Sequence, residues 1–349
     1  MQQPTSTPSL RTTVGATIAV VVLIAIVVSV AVSAAGRSSV SVCDVRSVAN
    51  SVLPSVVTIT AKGVTGGGTG SGEVIRADGY ILTNNHVISP AADGGSVEVL
   101  FSDGTSVPAT ITGRDIPTDL AVLHVDPPFS LPVINIGRSS SVYVGQPVVA
   151  LGAPLGLSGT VTSGIVSALD RTVQVPADHG ATALLTAAVQ TDASINPGNS
   201  GGALVNCGDQ LVGVPTAGAA IPGSAGGSVG LGFAIPVDFA MDIANELIDH
   251  GSVTHASFGF ESVPIPTSAA ASAGTPQGLF VLSVTPGGPA AAAGIQPGDV
   301  ITMIDGVDAT SALQLETLTL TKEAGDTVAI TYWRGGTTTE TAITLGSAP

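Results

Sequence analysis

The chain has 349 residues and a net charge of −15, with 25 acidic against 10 basic residues, 44% hydrophobic but only 3% aromatic side chains, 44 glycines and 23 prolines. This length favours two domains over one, and the lack of any basic run argues against a nucleic-acid or phosphate-binding surface. The aliphatic, turn-rich make-up points to many short strands and away from helical bundles.

In chain order, residues 1–13 are polar and rich in Pro, Ser and Thr, and read as a disordered cytoplasmic tail. Residues 14–35 carry no charge and run strongly apolar from Ile18 to Val32. A helix of roughly 20 such residues crosses a bilayer. A cleaved signal peptide is the alternative, because Val32, Ser33 and Ala34 are small residues of the cleavage-site kind. Signal cores run to about 7–15 residues, so the longer run is read as an uncleaved, single-pass anchor. Arg11 on one side and Arg37 and Arg46 on the other give no orientation by themselves. A connector at 36–47 follows.

From Asp44 to about Ile235 the pattern is short β-type runs broken by turns. Residues 56–60, 73–75, 80–83, 96–101, 106–112, 120–125 and 147–151 are such runs, with hairpin turns at Ala77-Asp78-Gly79 and Asp103-Gly104. Strands without intervening helices predict an antiparallel barrel or sandwich. The period then changes. Val237, Ala240, Met241, Ala244, Leu247 and Ile248 share one helical face, with Pro236 before it and Gly251 after it. This helix closes a first domain at 48–251. A second domain at 256–349 carries the runs 279–284, 289–294 and 298–306, a helix candidate at 311–321 and strands at 327–333 and 338–345.

The chemistry centres on Gly198-Asn199-Ser200-Gly201-Gly202. A serine hydroxyl becomes a nucleophile when a histidine takes its proton and a carboxylate orients that histidine. The pentapeptide alone also fits the nucleophile elbow of α/β-hydrolases, which needs a following helix and a later histidine. Here Gly201 leads into Ala203-Leu204-Val205, a strand, and the best-placed histidine lies upstream: His86, at the end of a hairpin strand in Thr83-Asn84-Asn85-His86. His124 sits inside a strand and reads as structural, and His179 as solvated. Asp119, leading into the apolar strand Leu120–Leu123, is the preferred orienting carboxylate. Asp115 and Asp126 read as turn residues, and Asp192 as a support of the serine loop. Scattered histidines and two distant cysteines exclude a metal cluster, and no cofactor is expected.

The order His86, Asp119, Ser200 is that of trypsin-like proteases. The phrases 79–87, 118–123, 159–169 and 190–202 resemble those of the HtrA/DegP family of bacterial serine proteases, over about 48–345. The resemblance implies a mainly β fold: a trypsin-like double six-stranded β-barrel, then one PDZ domain of α+β type. It implies a serine endopeptidase acting in protein quality control on unfolded extracytoplasmic proteins, with the oxyanion hole from the backbone N–H groups of Gly198 and Ser200. It also implies a catalytic domain outside the cell membrane, and homotrimers through elements near the protease N-terminus. Phe258-Gly259-Phe260 resembles the carboxylate-binding loop of a PDZ domain, which captures C-terminal peptides by strand addition. Counting back six from the nucleophile places Ser194 and Ile195 in the specificity pocket with Thr216 on its wall, all uncharged, so small or aliphatic side chains are expected. Pro215 interrupts the strand that would pair with substrate. Cys43 and Cys207 are a disulfide candidate tying the stem to the barrel, worth roughly 2–4 kcal/mol. A peptide-binding chaperone with a latent site is the competing reading from another class.

Overall fold

Short aliphatic strands build the first domain, and most of them are buried along nearly their whole length. The structure, a computed structural model, describes residues 43–348 apart from 65, 128, 154–158 and 219–227. The tail at 1–13 and the anchor at 14–35 lie outside the described residues. Among the described residues no helix is long and apolar enough to cross a membrane.

Helix α1 (Val45–Val52) opens the fold, an element the sequence reading left unassigned. The Asp44 side chain accepts hydrogen bonds from the N–H groups of Arg46 and Ser47, which the first turn leaves without intrahelical partners. Strands β1 (Val56–Lys62), β2 (Gly67–Val74) and β3 (Tyr80–Asn84) follow, then the single turn α2 (Asn85–Ile88) and strands β4 (Ser96–Leu100), β5 (Ser106–Asp115) and β6 (Leu120–His124). They close into a six-stranded barrel in the order β1-β2-β3-β6-β5-β4 around Val57, Ile59, Ile81, Val99 and Leu123. Gly79 makes the β2–β3 turn possible: its φ is +105°, and an added Cβ would collide with the carbonyl of Val125.

The second barrel comprises β7 (Asn135–Ile136), β8 (Pro147–Gly152), β9 (Thr160–Pro176), β10 (Thr182–Thr191), β11 (Ala203–Asn206), β12 (Gln210–Gly218) and β13 (Gly232–Pro236). The order is β11-β8-β9-β10-β13-β12, with β7 added in parallel at β12, and a β11–β12 pairing closes six strands on themselves. Both six-stranded barrels are therefore present. Helix α3 (Val237–His250) starts after Pro236 and ends at Gly251, whose φ is +76°. It packs on β5 and β6 of one barrel and β12 and β13 of the other. Contact on both sides shifts the buried stripe: Ile243 is buried with Val237, Ala240, Ala244 and Leu247, while Met241 and Ile248 of the expected face stay half-buried.

The remaining elements are β14 (Ala256–Ser257), β15 (Phe260–Pro264), α4 (Thr267–Ala273), β16 (Leu279–Val284), α5 (Pro289–Ala292), β17 (Val300–Ile304), β18 (Val307–Asp308), α6 (Ala312–Thr321), β19 (Thr327–Arg334), β20 (Thr337–Thr344) and β21 (Gly346–Ser347). The sheet order is β15-β16-β17-β19-β20, leaving β15 at an edge, and β14 pairs with β21. Ser311 caps α6 by accepting the Leu313 N–H at 3.2 Å. The buried Asp299 takes a bidentate pair from Arg334, at 2.6 and 2.7 Å, geometry that offsets its desolvation.

One buried charge has no such partner. Glu73 on β2 is fully buried, and neither carboxylate oxygen has a hydrogen bond. Burial pushes its carboxyl well above the ordinary value. An acid that holds its proton more tightly when folded favours folding in the protonated form. Stability is then greatest below the ordinary carboxylate range and falls as pH rises toward the raised folded value. Glu73→Leu should therefore flatten that slope and raise stability at neutral pH by about 1–3 kcal/mol. Calorimetric unfolding from acid to neutral pH checks this, and a variant with the wild-type slope would refute it.

Candidate active site

Strand β3 ends at Asn84, and the single turn α2 lifts His86 out of the first barrel, its side chain 38% exposed. Asp119 enters from the other side of the same sheet, where β6 pairs with β3 and brings Leu120 opposite Asn84. Its side chain is 1% exposed and takes two bonds from one residue. The His86 backbone N–H donates to Oδ1 at 2.9 Å, and the imidazole Nδ1 lies 2.7 Å from Oδ2. A buried carboxylate with those partners fixes the ring and holds the proton on Nδ1, leaving Nε2 as the basic nitrogen.

The backbone of Asp119 is unusual. Its φ is +57°, a left-handed value that costs a residue with a Cβ roughly 1–2 kcal/mol. Its carbonyl accepts from the Asn85 N–H at 3.0 Å and from Asn84 Nδ2 at 2.8 Å, which repays the strain. Asn84 Nδ2 also donates to Thr216 Oγ1 of β12 at 2.9 Å, so the histidine turn is tied to both barrels.

The serine loop comes from the second barrel but is anchored to the first. The Ser71 N–H donates to the carbonyl of Ser200 at 2.9 Å, and the Ser71 hydroxyl to the carbonyl of Gly198 at 2.6 Å. The Ala153 N–H in turn donates to Ser71 Oγ at 2.8 Å. Gly198 has φ +101° and Gly201 φ +76°. The Gly201 N–H donates to the carbonyl of Pro215 at 2.9 Å, which sets the loop against β12. Asp192, expected to support this loop, accepts the Ile165 N–H of β9 at 2.7 Å. The Ser200 hydroxyl donates to the carbonyl of Thr216 at 3.3 Å, and among the described residues no hydrogen bond joins it to His86.

An open cavity of about 450 Å³ lies beside the pair, lined by His86, Asp119, Thr216, Gly218, Phe233 and the β9 segment 173–176. Of the three residues expected to shape specificity, Thr216 lines this cavity. Ser194 and Ile195 do not. Ile195 is buried in the core of the second barrel, in space left by Gly232, and the Ser194 carbonyl accepts from Thr162 Oγ1 and Asn199 Nδ2. The arm that carries 173–176 is pinned at its tip, where Asp178 meets Arg114 Nη1 at 2.7 Å. Burial alone would raise the Asp178 carboxyl, but hydrogen bonds from Ser89, Arg114 and Asn85 and the Arg114 charge outweigh it and hold it below its ordinary value.

Elsewhere, His124 bonds the Asp78 carbonyl at 3.0 Å and packs edge-on to Tyr80, a structural role. Asp115 is more than a turn residue: it is buried, and it binds Thr118 and His255, a pairing across 140 positions that spacing alone does not reveal. Neither cysteine is a free thiol, and Cys43 and Cys207 are both disulfide-bonded. In the second domain Phe258 is buried in the core, its ring 5.8 Å from that of the half-buried Phe260. Gly259 between them has φ +73°, and its N–H donates to Ser257 Oγ at 3.2 Å. Among the described residues no cluster of side chains could hold a metal ion.

Two family models match the chain: a trypsin-like peptidase domain over residues 70–214 and a PDZ domain over 254–345. Serine protease PepD of Mycobacterium tuberculosis is 45% identical over 316 residues, covering 87% of this chain and 66% of that protein. The periplasmic pH-dependent serine endoprotease DegQ of Escherichia coli is 40% identical over 285 residues, covering 80% and 60%. The chain thus spans roughly half to two thirds of the length of the curated relatives it matches. Among solved structures, the HtrA-type protease AlgW with a decapeptide superposes with a TM-score of 0.70 at 32% identity, covering 88% of this chain and 99% of that one.

The geometry of the serine loop is testable by a single methyl group. A Cβ at Gly201 would collide with the Ser71 carbonyl and Thr83 Oγ1. Gly201→Ala should therefore lose roughly 2–5 kcal/mol of unfolding free energy, from the left-handed φ and the crowding together. At Gly66 an added Cβ meets nothing within 4 Å, so Gly66→Ala should change little. Urea titrations of the two variants against the wild type make the comparison.

Proposed function

The chain belongs to the HtrA-type family of trypsin-like serine proteases, and on that premise we propose that it is a serine endopeptidase cleaving unfolded or exposed segments of extracytoplasmic proteins. The observation that carries this reading is the buried Asp119 carboxylate, holding both the backbone N–H and Nδ1 of His86 beside a cavity lined by Thr216, whose carbonyl accepts the Ser200 hydroxyl. In the proposed mechanism Nε2 of His86 takes the Ser200 proton as Oγ attacks the scissile carbonyl. Asp119 stabilises the imidazolium so formed. The N–H groups of Gly198 and Ser200 receive the oxyanion. The amine leaves with the proton from His86, and water activated by the same nitrogen releases the acyl group. Ser200→Ala should lower kcat by about 10⁶-fold with the fold intact. Cleavage of a denatured protein, followed by peptide mapping, checks this, and undiminished cleavage by the variant would overturn it.

A second reading concerns the resting state, and the Ser200 hydroxyl favours it. Because that hydroxyl donates to the Thr216 carbonyl, it must rotate before His86 can take its proton. We read the site as idling until a ligand or assembly step reorders the loop. A fluorophosphonate that labels Ser200 rapidly in the resting chain would eliminate latency, and labelling that needs added peptide would support it. Specificity is read from the uncharged side chains that share this cavity with His86 and Asp119. Thr216 and Phe233 favour small or aliphatic residues, with Ser194 and Ile195 acting from behind. Pro215 has no N–H for substrate pairing, which weakens strand addition at that one position.

The second domain is proposed to capture C-terminal peptides at Phe258-Gly259-Phe260. The support is β15, an edge strand open to addition, and the left-handed Gly259 before it. Amidating the terminal carboxylate of a bound peptide should weaken binding at least about tenfold, because the loop donors would then meet a neutral group. Fluorescence anisotropy of the acid and amide forms measures this. Residues 14–35 are proposed as a single-pass anchor with the catalytic domain extracytoplasmic. The apolar run and the periplasmic naming of several relatives support that placement. A Cys43–Cys207 bridge and a homotrimer complete the proposal.

A further inference from the structure

His255 is the residue immediately before β14, and its carbonyl accepts the Ala348 N–H at 2.8 Å, so its backbone belongs to the second domain. Its side chain points back to the first. Nε2 lies 2.9 Å and 3.0 Å from the two carboxylate oxygens of Asp115, the last residue of β5. The pair is largely shielded from water, at 15% and 7% side-chain exposure. The same carboxylate takes the Thr118 hydroxyl at 2.5 Å, which closes it over the turn 115–119.

That turn delivers Asp119. Its left-handed φ is an unfavourable conformation that the chain adopts only where its surroundings impose it. The restraints within the turn are the Thr118–Asp115 bond and the Asp119 N–H donating to the Ile116 carbonyl at 3.3 Å, a long bond. Leu184 adds one from outside, its N–H donating to the Pro117 carbonyl at 2.9 Å. The linker that brings His255 here lies against β5, since a Cβ at Gly113 would meet the carbonyl of Gly251. Other charges nearby are engaged elsewhere. Arg114 binds Asp178 and Asn85, and Glu246 accepts the Thr254 N–H.

We propose that His255 and Asp115 are a positioning pair for the triad: the residue just before the first strand of the second domain clamps the turn that holds the Asp119 carboxylate against His86. Neither touches substrate. The clamp fixes where the carboxylate oxygens stand, and misplacement of the pair by a fraction of an ångström slows proton transfer more than it weakens binding. This inference rests on the protease reading above.

The test uses the full chain and a short peptide substrate. His255→Ala should lower kcat about 10–100-fold with KM within about twofold. His255→Gln, whose amide can still donate to Asp115, should recover most of the loss. The readout independent of turnover is the downfield Nδ1 proton resonance of His86. It should broaden or move in His255→Ala and return in His255→Gln. A wild-type kcat and an unmoved resonance in His255→Ala would overturn the pair, as would a kcat loss matched by an equal loss of folded protein. Failure of the wild type to hydrolyse anything would count against the protease reading alone, and the His86 resonance would still decide the positioning pair.

Discussion

The bond between the buried Asp119 carboxylate and His86 is the constraint around which this molecule is built. A carboxylate removed from water is tolerable only when its oxygens are hydrogen-bonded. Asp119 meets that requirement with a single neighbour, which supplies a backbone N–H to one oxygen and an imidazole nitrogen to the other. To reach that neighbour it must turn left-handed at the start of β6. The pairing of β6 beside β3 then follows, because only adjacent strands bring residue 119 to residues 84–86. Barrel closure and chemistry are one requirement here.

The seam between the barrels obeys a different rule from their interiors. The interiors are aliphatic and close-packed, with Ile81 and Leu123 in one and Val189 and Leu204 in the other. The seam is polar and directional. Thr58 donates to the Ala153 carbonyl, Ser71 bridges Gly198 and Ala153, and Asn84 reaches Thr216. Directional bonds specify one register between two barrels where apolar contact would allow several. Specification of this kind needs every polar group to be placed, and the seam is not perfect. The side-chain oxygens of Asn84 and Asn199 are buried without partners, as are both of Glu73.

The second domain adds an independent core. Phe258, Val281, Ile301 and Ile330 bury its sheet, and Arg334 braces Asp299 beside it. The two domains are joined by more than a linker, since His255 carries a hydrogen bond from the first turn of the second domain to the turn that presents Asp119. The relation between the halves is therefore written into the site's own geometry.

Much of this was legible in the sequence, because the signals involved are local. Short aliphatic runs, Gly79 in a hairpin turn, Pro236 and Gly251 around a helix, and the chain order of His86, Asp119 and Ser200 each depend on a few adjacent residues or on order alone. They sufficed for a strand-rich first domain, the closing helix and a second domain, while the two six-stranded barrels were implied by the family resemblance. What tertiary structure decided concerns groups far apart in sequence. The buried face of α3 turned toward Ile243 because two barrels press on it. Ile195 went to the core, since Gly232 leaves it room there. Asp115 and His255 met across 140 positions. The Ser200 hydroxyl chose the Thr216 carbonyl. Periodicity records which side of a strand faces inward, but the partner of a polar group is set by packing between elements, and no local pattern carries that information.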